Sequence, residues 1–314
     1  MWNEDVGMGS ADSRHHREDL LKPLLEEKDV EVQKQRLLAC LVDACHYEEG
    51  VKSEPAKGNK KAVIGYFENR QITNEAIDHF RLGYFGVRAL RWMQHLRLAY
   101  PDLSNLLEDD LGIVSVFRER LIFPVRDAQG VIVGIGGRAD PDRMKHTNFK
   151  FPKYINSKFP KKNMLFGLAE ARDAIWSAGE AFVTEGYFDV ISAWQGGVPN
   201  VCGVMQATMG AWQIQQLARY TDRFLLVMDN DKAGREGSAR TVELIRKSFS
   251  DIDVQEVFLT DDVKDWDEYR VKYGSAVFDL KLPVRRGSRE EMASKRDKLQ
   301  EVGNAAERSV PTST

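Results

Sequence analysis

The sequence predicts an α/β protein: a parallel sheet flanked by helices, preceded by a mixed α+β half with a helical N-terminal extension. Three observations carry this expectation. From about Leu165 onward, short apolar runs alternate with amphipathic stretches, the pattern of successive βα units. Upstream, two apolar runs at 121–125 and 131–135 flank RDAQG, which has the turn chemistry of a hairpin. Residues 17–47 place apolar side chains at helical spacing, with a break near Pro23.

In chain order, residues 1 to about 17 are polar and read as disordered. The first helix is followed by EGVKSEPAKGNKKA, a polar linker. The stretch AVIGYFENRQITNEAIDHFRLGYF then reads as helix, turn, helix, with Thr73 as N-cap, Glu75 in the favourable first turn and Gly83 as the stop. Helical material continues to about Leu111. In the hairpin, Gly134, Gly136 and Gly137 pack poorly as strand residues but permit close approach of another backbone. Beyond it, helix 169–177 leads to AFVTEG, 187–195 to NVCGV, 211–220 to FLLVM and 233–249 to VQEVFL. The tail from Val284 reads as a solvated helix that frays. The expected divisions are 1–60, a helical extension; 61–165, a basic nucleic-acid-binding subdomain; 166–283, the α/β domain; and 284–314, a polar tail.

At 42% hydrophobic and 30% charged residues, the 314-residue chain has the composition of a soluble globular protein. No apolar stretch approaches the roughly 20 residues of a membrane span. The N-terminal MWNEDVGMGSADSRHHRED lacks a signal peptide's apolar core, so the expected location is cytoplasmic, with no membrane partner. Cys40, Cys45 and Cys202 form no disulfide framework and no paired CxxC. Cys40, Cys45 and His46 fall in one helical pattern without a fourth ligand, so buried thiols are expected and no zinc site.

The net charge of −3 conceals a strong asymmetry. Residues 143–162, RMKHTNFKFPKYINSKFPKK, hold seven Lys or Arg and no acid, with Phe149, Phe151, Tyr154 and Phe159 interleaved. Cations beside stackable rings suit phosphates beside bases, although a solvated basic loop has the same composition. The acids lie further on, at predicted strand ends. Glu185 follows AFVT, with Asp189 four residues later and so expected on one helix face with it; Asp229 and Asp231 end FLLVMDND; Asp265 and Asp267 follow VFLT. Adjacent parallel strands are about 4.8 Å apart, so these carboxylates can converge, and oxygen-only ligands favour Mg²⁺ or Mn²⁺.

Rival readings of the Asp-x-Asp element fit less well. DNDKAGREGSAR begins like a calcium loop but has Ala233 at the fifth place and Arg240 at the twelfth, where a bidentate Glu is needed. Aspartate-phosphatase folds open their domain on such a strand, whereas two βα units precede it here. Acids that merely cap helices explain Asp189 or Asp262 singly, but not Glu185, Asp229 and Asp231 together.

The ordered series EGYFDV, an apolar strand with Asp-x-Asp and then AGR, and a final Asp-x-Asp resembles the toprim fold. FPVRDAQGVIVGIGGR, FPKYINS and LFGLAEA, in that order upstream, resemble the catalytic core of bacterial and phage DnaG-type primases. The likeness runs from about Ile64 to Tyr273. It implies template-directed synthesis of short RNA primers on single-stranded DNA, by metal-dependent transfer from ribonucleoside triphosphates, with the RNA–DNA hybrid held by its phosphates. It implies metal roles for Glu185, Asp189, Asp229, Asp231, Asp265 and Asp267, the catalytic ones being Glu185, Asp229 and Asp231. It further implies nucleic-acid or nucleotide contacts for Arg70, Arg138, Lys153, Tyr154 and Asn156.

The sequence departs from the family pattern in four places. Asn230 stands where Gly is usual, which the tolerance of Asn for the left-handed conformation accommodates; Trp266 stands where Pro is usual, and Ala207-Thr208 replaces Gly-Thr. No zinc ribbon or helicase-binding domain is recognisable, so a separate zinc-binding primase subunit and a replicative helicase are the expected partners, as in a reduced phage replication system. Two alternatives stay open: a toprim-type metal-dependent nuclease, and a catalytically idle DNA-binding replication subunit.

Overall fold

The computed structural model describes residues 25–48, 67–113, 115–139, 152–260 and 262–274. The expectations for the first 24 residues, the linker after the first helix, most of the basic segment before Pro152 and the C-terminal tail lie outside these residues. Helix α1 (Val30–His46) starts at Asp29, whose carboxylate accepts from the Glu31 and Val32 N–H groups. Its stripe of Leu37, Leu38, Leu41 and Cys45 is buried in one cluster with Phe85, Trp92 and Leu96. Helix α1 therefore shares a core with the elements that follow it. His46 is buried with both ring nitrogens engaged: Nδ1 donates to the Leu82 carbonyl at 2.7 Å, and Nε2 lies 3.1 Å from Asp78.

Helix α2 (Asn74–His79) begins as expected, with the Thr73 hydroxyl accepting from the Ala76 N–H. Its end corrects one expectation: the helix closes at Phe80, and Gly83 belongs to a short strand, β1 (Gly83–Tyr84). The glycine is needed for contact rather than for capping. A Cβ there would stand 2.7 Å from the Cys45 backbone, so only glycine lets β1 pass α1. Helices α3 (Val87–Ala99) and α4 (Pro101–Asn105) complete this half's helical layer.

The hairpin forms as expected from β2 (Arg120–Arg126) and β3 (Ile132–Ala139), with β4 (Tyr154–Asn156) added to give the antiparallel order β1-β2-β3-β4. Asp127 fixes the turn by accepting from the Gln129 and Val131 N–H groups, each at 2.9 Å. The glycines of β3 admit aromatic rings, not a backbone. A Cβ would collide with Phe159 at Gly134 and with Tyr187 at Gly136, and would press on Phe117 at Gly137.

The second half is the expected parallel sheet. Its strands β5 (Ala181–Thr184), β6 (Val201–Gly203), β7 (Arg223–Leu226) and β8 (Asp253–Glu256) lie in the order β6-β5-β7-β8. Helices α5 (Leu168–Ala178), α6 (Tyr187–Gln195), α7 (Ala211–Ala218) and α8 (Lys232–Ser248) alternate with the strands, and α9 (Trp266–Tyr273) closes the domain. Because the strands are parallel, their carboxyl ends share one edge, the edge where such sheets place ligands. Trp266 is buried and packs edge-on to Phe182, with ring centroids 5.5 Å apart.

An aromatic seam joins the halves. Phe123 of β2 stacks on Tyr187 of α6 at 4.7 Å and meets Phe188 edge-on at 5.2 Å. Arg126 pairs with Glu170 alongside. Deleting one such buried ring typically costs about 3–5 kcal/mol, so the seam fixes how the cationic sheet meets the acidic edge.

Candidate active site

Glu185 follows β5 directly, and Asp229 and Asp231 lie just past β7. The Asp229 N–H donates to Glu185 Oε1 at 3.3 Å, which ties two adjacent strand ends together. Asp231 is also the N-cap of α8, accepting from the Gly234 N–H at 3.0 Å. Capping thus adds to its role at the edge instead of being an alternative to it. A Cβ on Gly234 would stand 2.1 Å from the Asp229 carbonyl oxygen and 2.7 Å from Glu185 Oε1. The glycine of AGR therefore lets the helix start press against both acids.

Environment separates these carboxyls electrically. Burial, reinforced by Asp229, pushes Glu185 up to about 7. Burial also raises Asp229, against the pull of Lys264, while the Gly234 N–H bond holds Asp231 below the usual carboxylate range.

Asp189 and Asp267 sit deeper. Asp189 lies in the first turn of α6 and folds back to accept from the Gly186 N–H at 3.0 Å. Glu185 precedes that cap, so the two acids do not share a helix face. The second Asp189 oxygen accepts from the Asp267 N–H at 3.4 Å, and burial holds this carboxyl well above its ordinary pKa. Asp267 is buried among Arg70, Ser192 and Arg270. Asp265 is the N-cap of α9 and accepts from the Glu268 N–H at 2.9 Å.

The segment between these acids supplies a residue that the sequence reading missed. The Lys264 ammonium lies 2.9 Å from Asp229 Oδ2 and 3.5 Å from Asp231 Oδ2. Asn230 makes no use of the left-handed tolerance of its residue type, since its φ is not positive. Its N–H donates to the Lys264 carbonyl at 2.6 Å, and its amide donates to the Thr260 and Val263 carbonyls, each at 3.3 Å. A side chain that glycine lacks thereby ties the two acidic loops together.

This geometry suits a hard divalent cation. Two carboxylates already converge on one positive charge, and every donor is oxygen. Among the described residues no three acid, His or Cys side chains are grouped as a metal-binding set. An ion here would rely on one or two carboxylates completed by water and substrate phosphates, the usual way Mg²⁺ is held.

Two of the predicted cations, Arg70 and Arg138, meet around one ring, Phe188, another residue the sequence reading passed over. Arg138 is buried, lies 5.0 Å from the Tyr154 ring centre and 5.1 Å from that of Phe188, and donates to the Tyr154 hydroxyl. Arg70 lies 4.5 Å from the Phe188 ring centre. Lys153 lies 5.8 Å from the Tyr154 ring centre, and desolvation, then Arg138, Lys264 and Arg70, lowers its pKa. That set of neighbours puts the cationic face beside the acidic edge. Asn156 accepts from the Tyr187 hydroxyl at 2.7 Å and so faces the seam. Phe188 occupies the variable place of EGYFDV, and its packing against Arg138 of β3 and against Arg70 is what marks it in the fold.

Comparisons with known proteins agree with this two-part geometry. The family model for the DNA primase catalytic core, N-terminal domain, matches residues 51–172, and a Toprim-like model matches residues 182–270. The DNA primase of Halalkalibacterium halodurans is 33% identical over 230 residues, covering 69% of this chain and 37% of that protein. A DNA primase domain from Pseudomonas aeruginosa superposes with a TM-score of 0.62 at 29% identity, covering 76% of this chain and 74% of that one. A DnaG primase catalytic domain bound to ssDNA superposes with a TM-score of 0.62 at 25% identity, covering 85% and 80%. The chain spans 37%, 31% and 39% of the length of three curated primases that it matches. With both domains matched in the order the sequence predicts, the chain belongs to the DnaG-type primase family and carries its catalytic core.

Proposed function

We propose that this chain synthesises short RNA primers on a single-stranded DNA template, adding ribonucleotides by metal-dependent nucleotidyl transfer. The observation that carries the reading is the meeting of Asp229 and Asp231, converging on one positive charge, with the Arg138–Tyr154–Lys153 face across the aromatic seam. The acids suit divalent cations and the cations suit phosphates. The ssDNA-bound DnaG domain with the same fold supports the choice of template.

In this reading Asp229 and Asp231 hold Mg²⁺ or Mn²⁺, with Glu185 and Asp265 beside them at the same edge. When bound, the cation would neutralise triphosphate charge and favour loss of the 3′-hydroxyl proton. Lys153 and Arg70 would contact template or hybrid phosphates, largely without reading sequence. Arg138 would act from beneath, holding Tyr154 and Phe188 as a stiff platform. Asp189 and Asp267 would position the edge, since backbone N–H groups and Arg70 already occupy their oxygens. Asn156 would orient Tyr187 at the seam. A zinc-binding subunit and a replicative helicase remain the proposed partners for starting synthesis, and the cytoplasm, of a phage host or otherwise, the proposed location.

The test is extension of a short RNA primer already annealed to a DNA template, with ribonucleotides and Mg²⁺ or Mn²⁺ and with Asp229→Ala as control. Pre-annealing bypasses initiation. Template-dependent extension, lost in the variant, is the expected result. Metal-dependent cleavage without extension would replace the polymerase with a nuclease. DNA binding with neither activity would leave a binding subunit.

A further inference from the structure

We infer that Lys264 is a tethered competitor for the divalent cation, holding the Asp229–Asp231 pair until a metal ion displaces its ammonium. This rests on the metal-binding reading of the acidic edge given above.

The position of the lysine is built into the fold. Its carbonyl accepts from the N–H of Asn230, the residue between the two acids, at 2.6 Å. Its own N–H donates to Glu268 at 2.8 Å. The Asn230 amide holds the preceding Thr260 and Val263 carbonyls. With the backbone hooked at the centre of the Asp-Asn-Asp loop, the four-carbon stem delivers the ammonium to Asp229 Oδ2 at 2.9 Å and Asp231 Oδ2 at 3.5 Å.

The same geometry makes the ammonium removable. The Lys264 side chain is 50% exposed, against 17% for Asp229. Its departure into water therefore exposes no buried charge of its own. An ammonium is a strongly hydrated point charge on a flexible stem, unlike the fixed fork of an arginine. A dication at the same two oxygens would repel an ammonium held at contact distance. Filling the site thus includes the work of expelling Lys264, which raises the metal concentration the site requires. Between fillings, the lysine offsets the repulsion between the two acids.

The experiment is direct Mn²⁺ binding to the full chain by titration calorimetry at fixed pH, comparing wild type, Lys264→Met, Lys264→Arg and Asp229→Ala. Lys264→Met is expected to bind about tenfold more tightly, equivalent to about 1.4 kcal/mol. Lys264→Arg, which keeps the charge on a fork that is harder to displace, is expected to bind no more tightly than wild type. Equal or weaker binding by Lys264→Met overturns the proposal. If Asp229→Ala binds as well as wild type, the metal reading beneath the proposal fails, and the proposal fails with it.

A second measurement needs no disruptive variant. The Lys264 side-chain ammonium resonance, assigned by its loss in Lys264→Arg, is expected to move as Mg²⁺ is added to wild type. A resonance that stays fixed while Mg²⁺ saturates the site also overturns the proposal.

Discussion

Arg70 and Asp267 form an ion pair across 197 residues of sequence, joining the entry to α2 with the first turn of α9. The carboxylate is buried, and it also accepts from the Ser192 hydroxyl. Asp267→Ala would leave Arg70 and Arg270 facing an uncompensated site, and a broken buried pair costs about 3 kcal/mol. The expected outcome in urea denaturation is a loss of that order for Asp267→Ala. Asp267→Asn, which keeps an acceptor, should lose less. Mn²⁺ affinity should be nearly unchanged in both. If Asp267→Asn abolishes Mn²⁺ binding as fully as Asp229→Ala does, while stability is kept, Asp267 is a ligand and not a brace.

Asp231 has two roles that one pair of variants separates. As N-cap of α8 it satisfies the Gly234 N–H, and loss of a cap costs about 0.5–2 kcal/mol. Asp231→Asn keeps the cap and loses the charge, whereas Asp231→Ala loses both. Primer extension should fall steeply in each, while thermal unfolding should shift clearly only for Asp231→Ala. Equal unfolding shifts would mean that the cap contributes little.

What the sequence made legible divides along the same line. Thr73, the Asp127 turn and the βα alternation depend on residues close together in the chain, and each formed where local chemistry put it. The acids were legible because a parallel sheet brings its carboxyl ends to one edge. What stayed hidden depends on contacts between distant segments. Gly83 looked like a helix stop because nothing nearby reveals α1 lying against it. Asn230 read only as a tolerated replacement for glycine because its side-chain partners lie 30 and 33 residues away. Phe188 fills the open place of EGYFDV and Lys264 precedes the final Asp-x-Asp, and only the assembled fold shows what each touches.

Lys153 is exposed and ends the cationic face, so its contribution to nucleic-acid binding should be electrostatic and indifferent to sequence. For a single strand, each neutralised phosphate contributes about 0.7 to the slope of log K against log salt. Lys153→Ala should reduce that slope by about this amount and weaken binding to unrelated oligonucleotides equally, as fluorescence anisotropy at several salt concentrations would measure. Phe188→Leu should behave differently. It removes the ring against which Arg70 and Arg138 pack, so affinity should drop with less change in slope. If Lys153→Ala discriminates strongly among oligonucleotides, the lysine contacts bases.

Glu185 provides a pH signature. Its carboxyl titrates near 7 in the folded protein, against an ordinary 4.5, because burial and Asp229 disfavour its charge. A raised folded-state value means that the neutral form is the one the fold favours. The associated stability is fully present below about pH 4.5 and is lost as pH rises through about 7. The total is no more than about 3 kcal/mol, and solvent at the half-buried edge reduces it. Glu185→Gln stays neutral throughout and removes this dependence. In EDTA, the stability of wild type relative to Glu185→Gln should therefore fall between pH 5 and pH 8 in urea denaturation. Adding Mg²⁺ at pH 8 should restore wild type more than the variant, because a bound dication reverses the preference and favours the charged carboxylate. Parallel stability curves for the two proteins in EDTA would place Glu185 in contact with solvent instead of pressed between Asp229 and the start of α8.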